Sequence, residues 1–118
     1  MMRDLIEKLT SRYKLGAPVF QRDDLTFVDL AANDQLRGLL MELRDKEGFT
    51  HLTLLTAVDW LEEGRFQLSY MLNNREANQT LTLRVYLPRE DAVGETIHDI
   101  WPTAATYQRE LREMFGID

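Results

Sequence analysis

The chain contains no cysteine and only two histidines among its 118 residues. Without cysteine it can form no disulfide, no thiolate metal site and no cysteine-ligated cluster of its own. The histidines, His51 and His98, are far apart and lack the close spacing of a metal-binding helix. Beside Asp99, His98 has either a metal-binding or proton-relay role or, more commonly, a place in a surface loop. These residues therefore assign no metal site.

Glycine, positive charge and long apolar runs are also scarce. The six glycines never form G-x-G-x-x-G or a phosphate-binding loop, so no nucleotide site is predicted. A formal net charge of −6 and a pI near 4.9 argue against binding to nucleic acid or directly to anionic lipid. No apolar run approaches the ~20 residues of a membrane-spanning helix, so membrane association has to come through partners. The start, Met1 to Leu5, resembles neither a secretory signal nor a transit peptide, which predicts a cytoplasmic protein.

What is present is a regular succession of amphipathic segments in one domain, residues 1–118, with 44% hydrophobic residues to fill a core. The first helix is expected to stop near Gly16, and the second to be capped by Asn33 and ended by Gly48. Strands are predicted from β-rich and alternating segments, with turns between them. The predicted helices cover residues 4–14, 33–48 and 102–116, and the predicted strands cover residues 19–22, 25–30, 51–61, 65–72 and 79–87.

The last of these strands has the clearest alternation. Its two faces carry Leu81, Leu83, Val85 and Leu87 on one side and Thr82, Arg84 and Tyr86 on the other. One face should therefore be core and the other wetter. The element order α-β-β-α-β-β-β-α predicts an α+β fold, a two-layer α/β sandwich with an antiparallel or mixed sheet and helices on one face.

The C-terminal helix is bounded by Pro102, suited to a first helical position, and Gly116, suited to a helix end. Its predicted apolar stripe is Ala104, Tyr107, Leu111, Met114 and Phe115, and its opposite face carries Gln108, Arg109, Arg112 and Glu113, with Glu110 near the edge of the stripe. Two interpretations remain open. The charged face is either solvated, with an ordinary i,i+4 pair, or a docking surface for another protein.

Two further features allow a chemical role, and each has a commoner alternative. Asp59 is placed either as a lone general base or as a turn carboxylate. Trp60 and Trp101 form either an aromatic wall for a flat ligand or parts of a core or interface. Because Trp101 precedes Pro102, an interface anchor is favoured for it. No set of converging catalytic groups is predicted.

Motifs in the second half of the chain carry a family resemblance. They are Leu55-Thr56-Ala57-Val58-Asp59-Trp60, Trp101-Pro102-x-Ala104 and Arg109-Glu110-x-x-Glu113-Met114-Phe115-Gly116-Ile117. They resemble the C-type subunit of the proton-pumping NADH:quinone oxidoreductase, respiratory complex I. Gln108 departs from the usual Glu of that family, and Arg112 from its common aromatic or apolar residue. The family continues into an arginine-rich tail, so a chain ending at Asp118 is expected to be truncated or one domain of a longer protein.

The resemblance implies a non-catalytic assembly subunit of the hydrophilic arm of this oxidoreductase and translocase, at the cytoplasmic face of the membrane. It implies packing against the quinone-site (D-type) subunit and the small iron–sulfur subunit, with FMN and iron–sulfur clusters on partner subunits and no cofactor here. The implied interface residues are Trp101, Pro102, Tyr107, Arg109, Glu110, Glu113 and Phe115. One alternative is the equivalent subunit or domain of a membrane-bound energy-conserving hydrogenase or formate hydrogenlyase. Another is a free-standing small-ligand enzyme or binding protein.

Overall fold

The computed structural model describes residues 2–91, 97, 100–101 and 104–117, and its elements follow the predicted order. Short 3₁₀ turns lie at Asn33–Gln35, Leu61–Glu63 and Arg89–Asp91. The helices are α1 (Met2–Thr10), α2 (Leu36–Lys46) and α3 (Ala104–Phe115), and the strands are β1 (Val19–Arg22), β2 (Leu25–Asp29), β3 (His51–Trp60), β4 (Arg65–Asn74) and β5 (Gln79–Pro88).

The five strands form one mixed sheet in the order β1-β2-β5-β4-β3. The strands of the β2–β5 pair run parallel, from Leu25 opposite Thr80 to Asp29 opposite Arg84, whereas the other neighbours are antiparallel. A parallel pair needs a long crossover, which α2 and the β3–β4 hairpin supply here. This arrangement confirms the α+β sandwich with a mixed sheet.

The core lies on one face of the sheet. Leu81, Leu83, Val85 and Leu87 of β5 are each at most 5% exposed, as their alternation predicts. All three helices bury their apolar side chains in the same cluster as these strand residues, which confirms that the helices cover one face. The buried helix residues are Ile6 and Leu9 of α1, Leu36, Leu39, Leu40 and Leu43 of α2, and Ala104 and Leu111 of α3.

The predicted end of the first helix and the predicted start of the second were both wrong, and in each case a contact with a distant residue is the reason. The first helix ends at Thr10, well before Gly16, because the residues that follow pair with the end of β2. Leu15 forms a bridge with Leu30, and the Gly16 N–H donates to the Asp29 carbonyl at 2.8 Å. Because Leu15 and Gly16 are extended and bonded to β2, they cannot also be helical, and the first helix is short.

Asn33 does not cap the second helix. Its side-chain Nδ2 donates to the carbonyl of Tyr86 at 2.8 Å, and Ala32 and Gln35, which precede the 3₁₀ turn and α2, make no side-chain cap. Between β5 and α3, the carbonyl of Ile97 accepts from the N–H groups of Ile100 and Trp101. The predictions for Pro102, His98 and Asp99 lie outside the described residues.

Gly48 and Gly38 form a matched pair of test positions. Gly48 has φ +82°, and a Cβ there would lie 2.9 Å from Asn74 Nδ2, which is held by the Glu47 carbonyl. We expect Gly48→Ala to lower the free energy of unfolding by about 1–3 kcal/mol. In Gly38→Ala the new Cβ would meet Tyr13 only at 3.9 Å. That variant should gain up to about 1 kcal/mol from helix propensity. Urea unfolding followed by circular dichroism measures both, and an unchanged Gly48→Ala midpoint would contradict the strained turn.

Candidate functional site

Helix α3 is held to the sheet by two aromatic side chains at half-buried positions. The Tyr107 hydroxyl donates to the Thr53 carbonyl at 3.0 Å. Near the other end of the helix, the Phe115 ring meets Phe66 edge-on at 5.7 Å between centroids. Phe66 lies opposite Asp59 in the sheet, so Phe115 lies near the end of β3, whereas Tyr107 lies near its beginning. Helix α3 therefore runs alongside β3 in the same direction. Both residues were predicted as interface positions, and here they dock the helix within the domain.

Trp101 lies inside the domain rather than on its surface. Its side chain is 5% exposed, and its indole N–H donates to the Thr50 carbonyl at 3.1 Å. Almost none of its surface is accessible in this fold, and its contact with another protein stays a prediction. Trp60 lies at the opposite end of β3, roughly 30 Å away at the usual rise of a strand. The two tryptophans do not form an aromatic wall.

The outer face of α3 is charged and exposed, as predicted. Arg109, Glu110 and Glu113 are all exposed, and within the described chain no ion pair joins Arg109 to Glu113. The apolar stripe was wrong at one position. Met114 is 74% exposed because successive helix residues are about 100° apart, so it and Phe115 cannot both face the sheet. Contact of this face with another protein stays a prediction.

Asp59 and His51, the described residues considered for a chemical role, each contact another side chain of the domain. Asp59 accepts two hydrogen bonds from Arg89, at 2.8 and 3.0 Å, and these bonds raise the pKa of the Arg89 guanidinium. An ion pair of this kind suits a structural carboxylate better than a lone general base. His51 is exposed, with Nδ1 3.1 Å from the Thr50 hydroxyl. Within the described ranges, no three potential ligands cluster as a metal site would require.

The structure also shows a buried carboxylate that the pattern of the sequence did not single out. Glu42 of α2 is 9% exposed and accepts hydrogen bonds from Arg12 and, at 3.0 Å, from the Tyr13 hydroxyl. Burial, reinforced by this hydrogen bond and the charge of Glu42, raises the pKa of Tyr13. This cluster joins the end of α1 to α2. It was not foreseen because its members are about 30 residues apart in the sequence.

A second unforeseen cluster lies on the sheet face opposite the helices. Asp29 accepts from Arg84 Nε at 2.7 Å and from the Tyr86 hydroxyl at 3.3 Å, and the Arg65 guanidinium stacks 4.0 Å above the Tyr86 ring. Burial, followed by the charge of Asp29, raises the pKa of Tyr86. An open cleft of about 370 Å³ adjoins the cluster, lined by Gly16, Asp29, Leu30, Ala31, Asn33, Arg65 and Tyr86. Alternation along β5 predicted a more solvated face there, but it did not indicate that β2 would pair with β5 and place Asp29 beside Arg84.

The raised pKa values of Tyr13 and Tyr86 predict instability at alkaline pH. Below their ordinary pKa of 10.0, both tyrosine hydroxyls keep their protons in the folded and in the unfolded chain. Above it the unfolded chain loses the proton first, so the free energy of unfolding falls as pH rises through the folded-state pKa values. Urea midpoints measured across this range should fall more steeply for the wild type than for Tyr13→Phe/Tyr86→Phe. Equal slopes would show that these hydroxyls do not hold their protons more tightly in the fold.

Together the fold and these contacts define a two-layer α+β domain with internally paired ionic groups and two exposed faces, one on α3 and one on the sheet. Residues 30–118 match the family of the respiratory-chain NADH dehydrogenase 30 kDa subunit, and the chain belongs to that family.

Curated relatives carry related names. The chain is 33% identical over 84 residues to the C-type subunit of the NADH-quinone oxidoreductase of Moorella thermoacetica, covering 71% of this chain and 57% of that one. It is 40% identical over 123 residues to the C-type subunit of Ruegeria pomeroyi, covering 98% and 61%. It is 30% identical over 125 residues to the C/D-type subunit of Psychrobacter cryohalolentis, covering 99% and 21%. The chain thus spans less than two thirds of the length of each.

Solved structures share the fold. A chain of the membrane-bound sulfane sulfur reductase, an archaeal respiratory membrane complex, superposes with a TM-score of 0.86 at 25% identity, covering 98% of this chain and 68% of that one. The trypsin-resistant fragment of Nqo5 superposes with a TM-score of 0.77 at 24% identity, covering 98% and 92%. In the described part of the chain no helix is both long enough and apolar enough to cross a membrane.

Proposed function

We propose that the chain is a non-catalytic structural subunit of the hydrophilic arm of an NADH:quinone oxidoreductase. In this role it packs against the quinone-site subunit and the small iron–sulfur subunit while electrons pass from NADH to quinone. Family membership over residues 30–118 is the observation that carries the proposal. It is supported by the carboxylates Asp59 and Glu42, which are engaged in structural pairs rather than gathered around a substrate.

The proposal of the quinone-site subunit as a neighbour rests on fused relatives. The C/D-type subunits of Psychrobacter cryohalolentis and Nitrosospira multiformis align with 99% and 97% of this chain but with only 21% and 22% of their own length. The second letter of each name refers to a D-type domain in the same polypeptide, which we take as the quinone-site domain. A covalent link keeps two domains at high effective concentration, which is compatible with a lasting contact between them. We assign the same neighbour to this chain.

In this role the redox groups belong to partner subunits. FMN and iron–sulfur clusters are proposed on those subunits, because a chain without cysteine offers no thiolate for a cluster. The complex would hold the domain peripherally at the cytoplasmic face of the membrane. The exposed residues Arg109, Glu110 and Glu113 of α3 are proposed as contacts across an interface, where charges guide association and register.

A second candidate is the equivalent subunit of a related membrane-bound complex, such as an energy-conserving hydrogenase or formate hydrogenlyase. The observation that favours it is the fold match to the sulfane sulfur reductase complex, with a TM-score of 0.86. Both candidates assign the same scaffold role to the domain. The two candidates differ in the multisubunit complex to which the domain belongs.

Affinity purification separates these candidates. The full natural chain is tagged in its source organism, and the subunits recovered from solubilised membranes are identified by mass spectrometry. The NADH-binding flavoprotein and iron–sulfur subunits are expected in the eluate. Nickel–iron hydrogenase subunits in their place would select the second candidate, and the absence of both sets would overturn the proposed function.

The charged face of α3 has its own test within this purification. Arg109→Glu should lower recovery of partner subunits about tenfold or more, which corresponds to ~1.4 kcal/mol of binding free energy. Arg75→Glu, in the exposed turn between β4 and β5, makes the same charge change away from α3 and serves as the control. Equal recovery with the two variants would remove α3 from the interface without affecting the identification of the complex.

A further inference from the structure

The sheet face opposite the helices carries an unbroken row of uncharged side chains across all five strands. The strand registers place Leu54, Met71, Thr82, Phe27 and Val19 directly opposite one another in turn, from β3 through β4, β5 and β2 to β1. Directly opposed residues point to the same side of a sheet. The row therefore crosses the whole face, although Thr82 at its centre is only 2% exposed. We call this side of the sheet the open face.

The exposed apolar side chains of the open face lie on its two edge strands, β3 and β1. Leu54 and Val19, at the two ends of the row, are 40% and 48% exposed. Val58 and Trp60 point the same way from β3 and are 41% and 42% exposed. These four are the majority of the seven large apolar side chains exposed among the described residues. Leu54, Val58 and Trp60 lie together on the edge strand β3, and an exposed apolar patch of this kind is typical of a surface that another protein covers.

The charged side chains of the open face are already neutralised within the chain. Its ion pairs are Arg84 with Asp29 at 2.7 Å, Arg65 with Glu63 at 3.0 Å and Arg22 with Asp24 at 3.5 Å. The face is thus close to neutral on a chain with a formal charge of −6. Complementarity then calls for an uncharged, apolar partner surface, since each of the three carboxylates described on this face already has a cationic partner.

The dimensions of the open face suit a protein partner. Five strands span about 19 Å, and the ten residues of β3 extend about 30 Å. The resulting area of several hundred Å² supplies much of the ~800 Å² per partner that stable interfaces bury. The cleft beside Tyr86 and Arg65, at the edge of this face, is large enough to receive an anchoring side chain.

We infer that the open face is the docking surface for the quinone-site subunit, which meets it with an uncharged, apolar surface. The inference rests on the proposed function, and it adds a site separate from α3, which packs on the other face of the sheet. The D-type domain of the fused relatives indicates the occupant, and the neutral face with its exposed Leu54, Val58 and Trp60 describes the chemistry of the contact.

The absence of cysteine from the chain makes thiol labelling a direct test. Single variants Leu54→Cys and Val58→Cys report on the open face, and Arg109→Cys reports on α3. Met41→Cys, at a position on α2 that is 39% exposed, is the control matched in exposure. Each full-length variant is checked by circular dichroism and then labelled with a maleimide, alone and in complex with the quinone-site subunit from the same genome. Labelling depends on how accessible the thiol is.

In the complex, labelling of Leu54→Cys and Val58→Cys should slow by about tenfold or more because docking excludes water, while Met41→Cys should label as before. Protection of Arg109→Cys alone would keep the proposed function and overturn this inference. Failure to form any complex with the quinone-site subunit would overturn that partnership, and the inference with it. Protection that arises in the isolated variants as their concentration rises would assign the open face to a second copy of the chain, and would also contradict the inference.

Discussion

Strand β5 is hydrogen-bonded between β2 and β4, and this pairing sets the positions of the core and of both sheet faces. With parallel bonds on one side and antiparallel bonds on the other, β5 is fixed in register, and its side chains are committed to two faces. Leu81, Leu83, Val85 and Leu87 fill the face that the helices cover. The opposite side chains, Thr82, Arg84 and Tyr86, then define a second face that no helix of the described chain covers. The core and the candidate docking surface thus both follow from the alternation of side chains along β5.

Much of the fold was predictable because its strongest signals are local. Alternation fixed β5 to within one residue, and the leucines of α2 at i, i+3, i+4 and i+7 located both the helix and its buried side. The strands at 19–22 and 25–30 were foreseen with a turn between them, and they pair as the antiparallel strands β1 and β2. In each case the information lies within about ten consecutive residues, which is the range over which hydrophobic periodicity can be read.

What could not be predicted depends on contacts between distant residues. The bridge from Leu15 to Leu30 shortens α1, and Asn33 reaches Tyr86 rather than capping a helix. The packing of Trp101 within the domain depends on its hydrogen bond to the Thr50 carbonyl, 51 positions away in the sequence. The open face was also missed, because Leu54 and Val58 of β3 have the same residue types as a strand buried on both faces. Only the observed sheet order, which puts β3 at an edge and the helices on one side, distinguishes the two situations.

A cryo-electron microscopy map of the intact complex, purified through this chain, would show whether the domain is a scaffold covered on its open face by a partner subunit. The map should show the same domain fold, with density of the quinone-site subunit packed against the strand face that carries Leu54 and Val58, and no redox centre within the domain. A map in which that face meets solvent, or in which a flavin or cluster is bound by residues of this chain, would contradict this prediction.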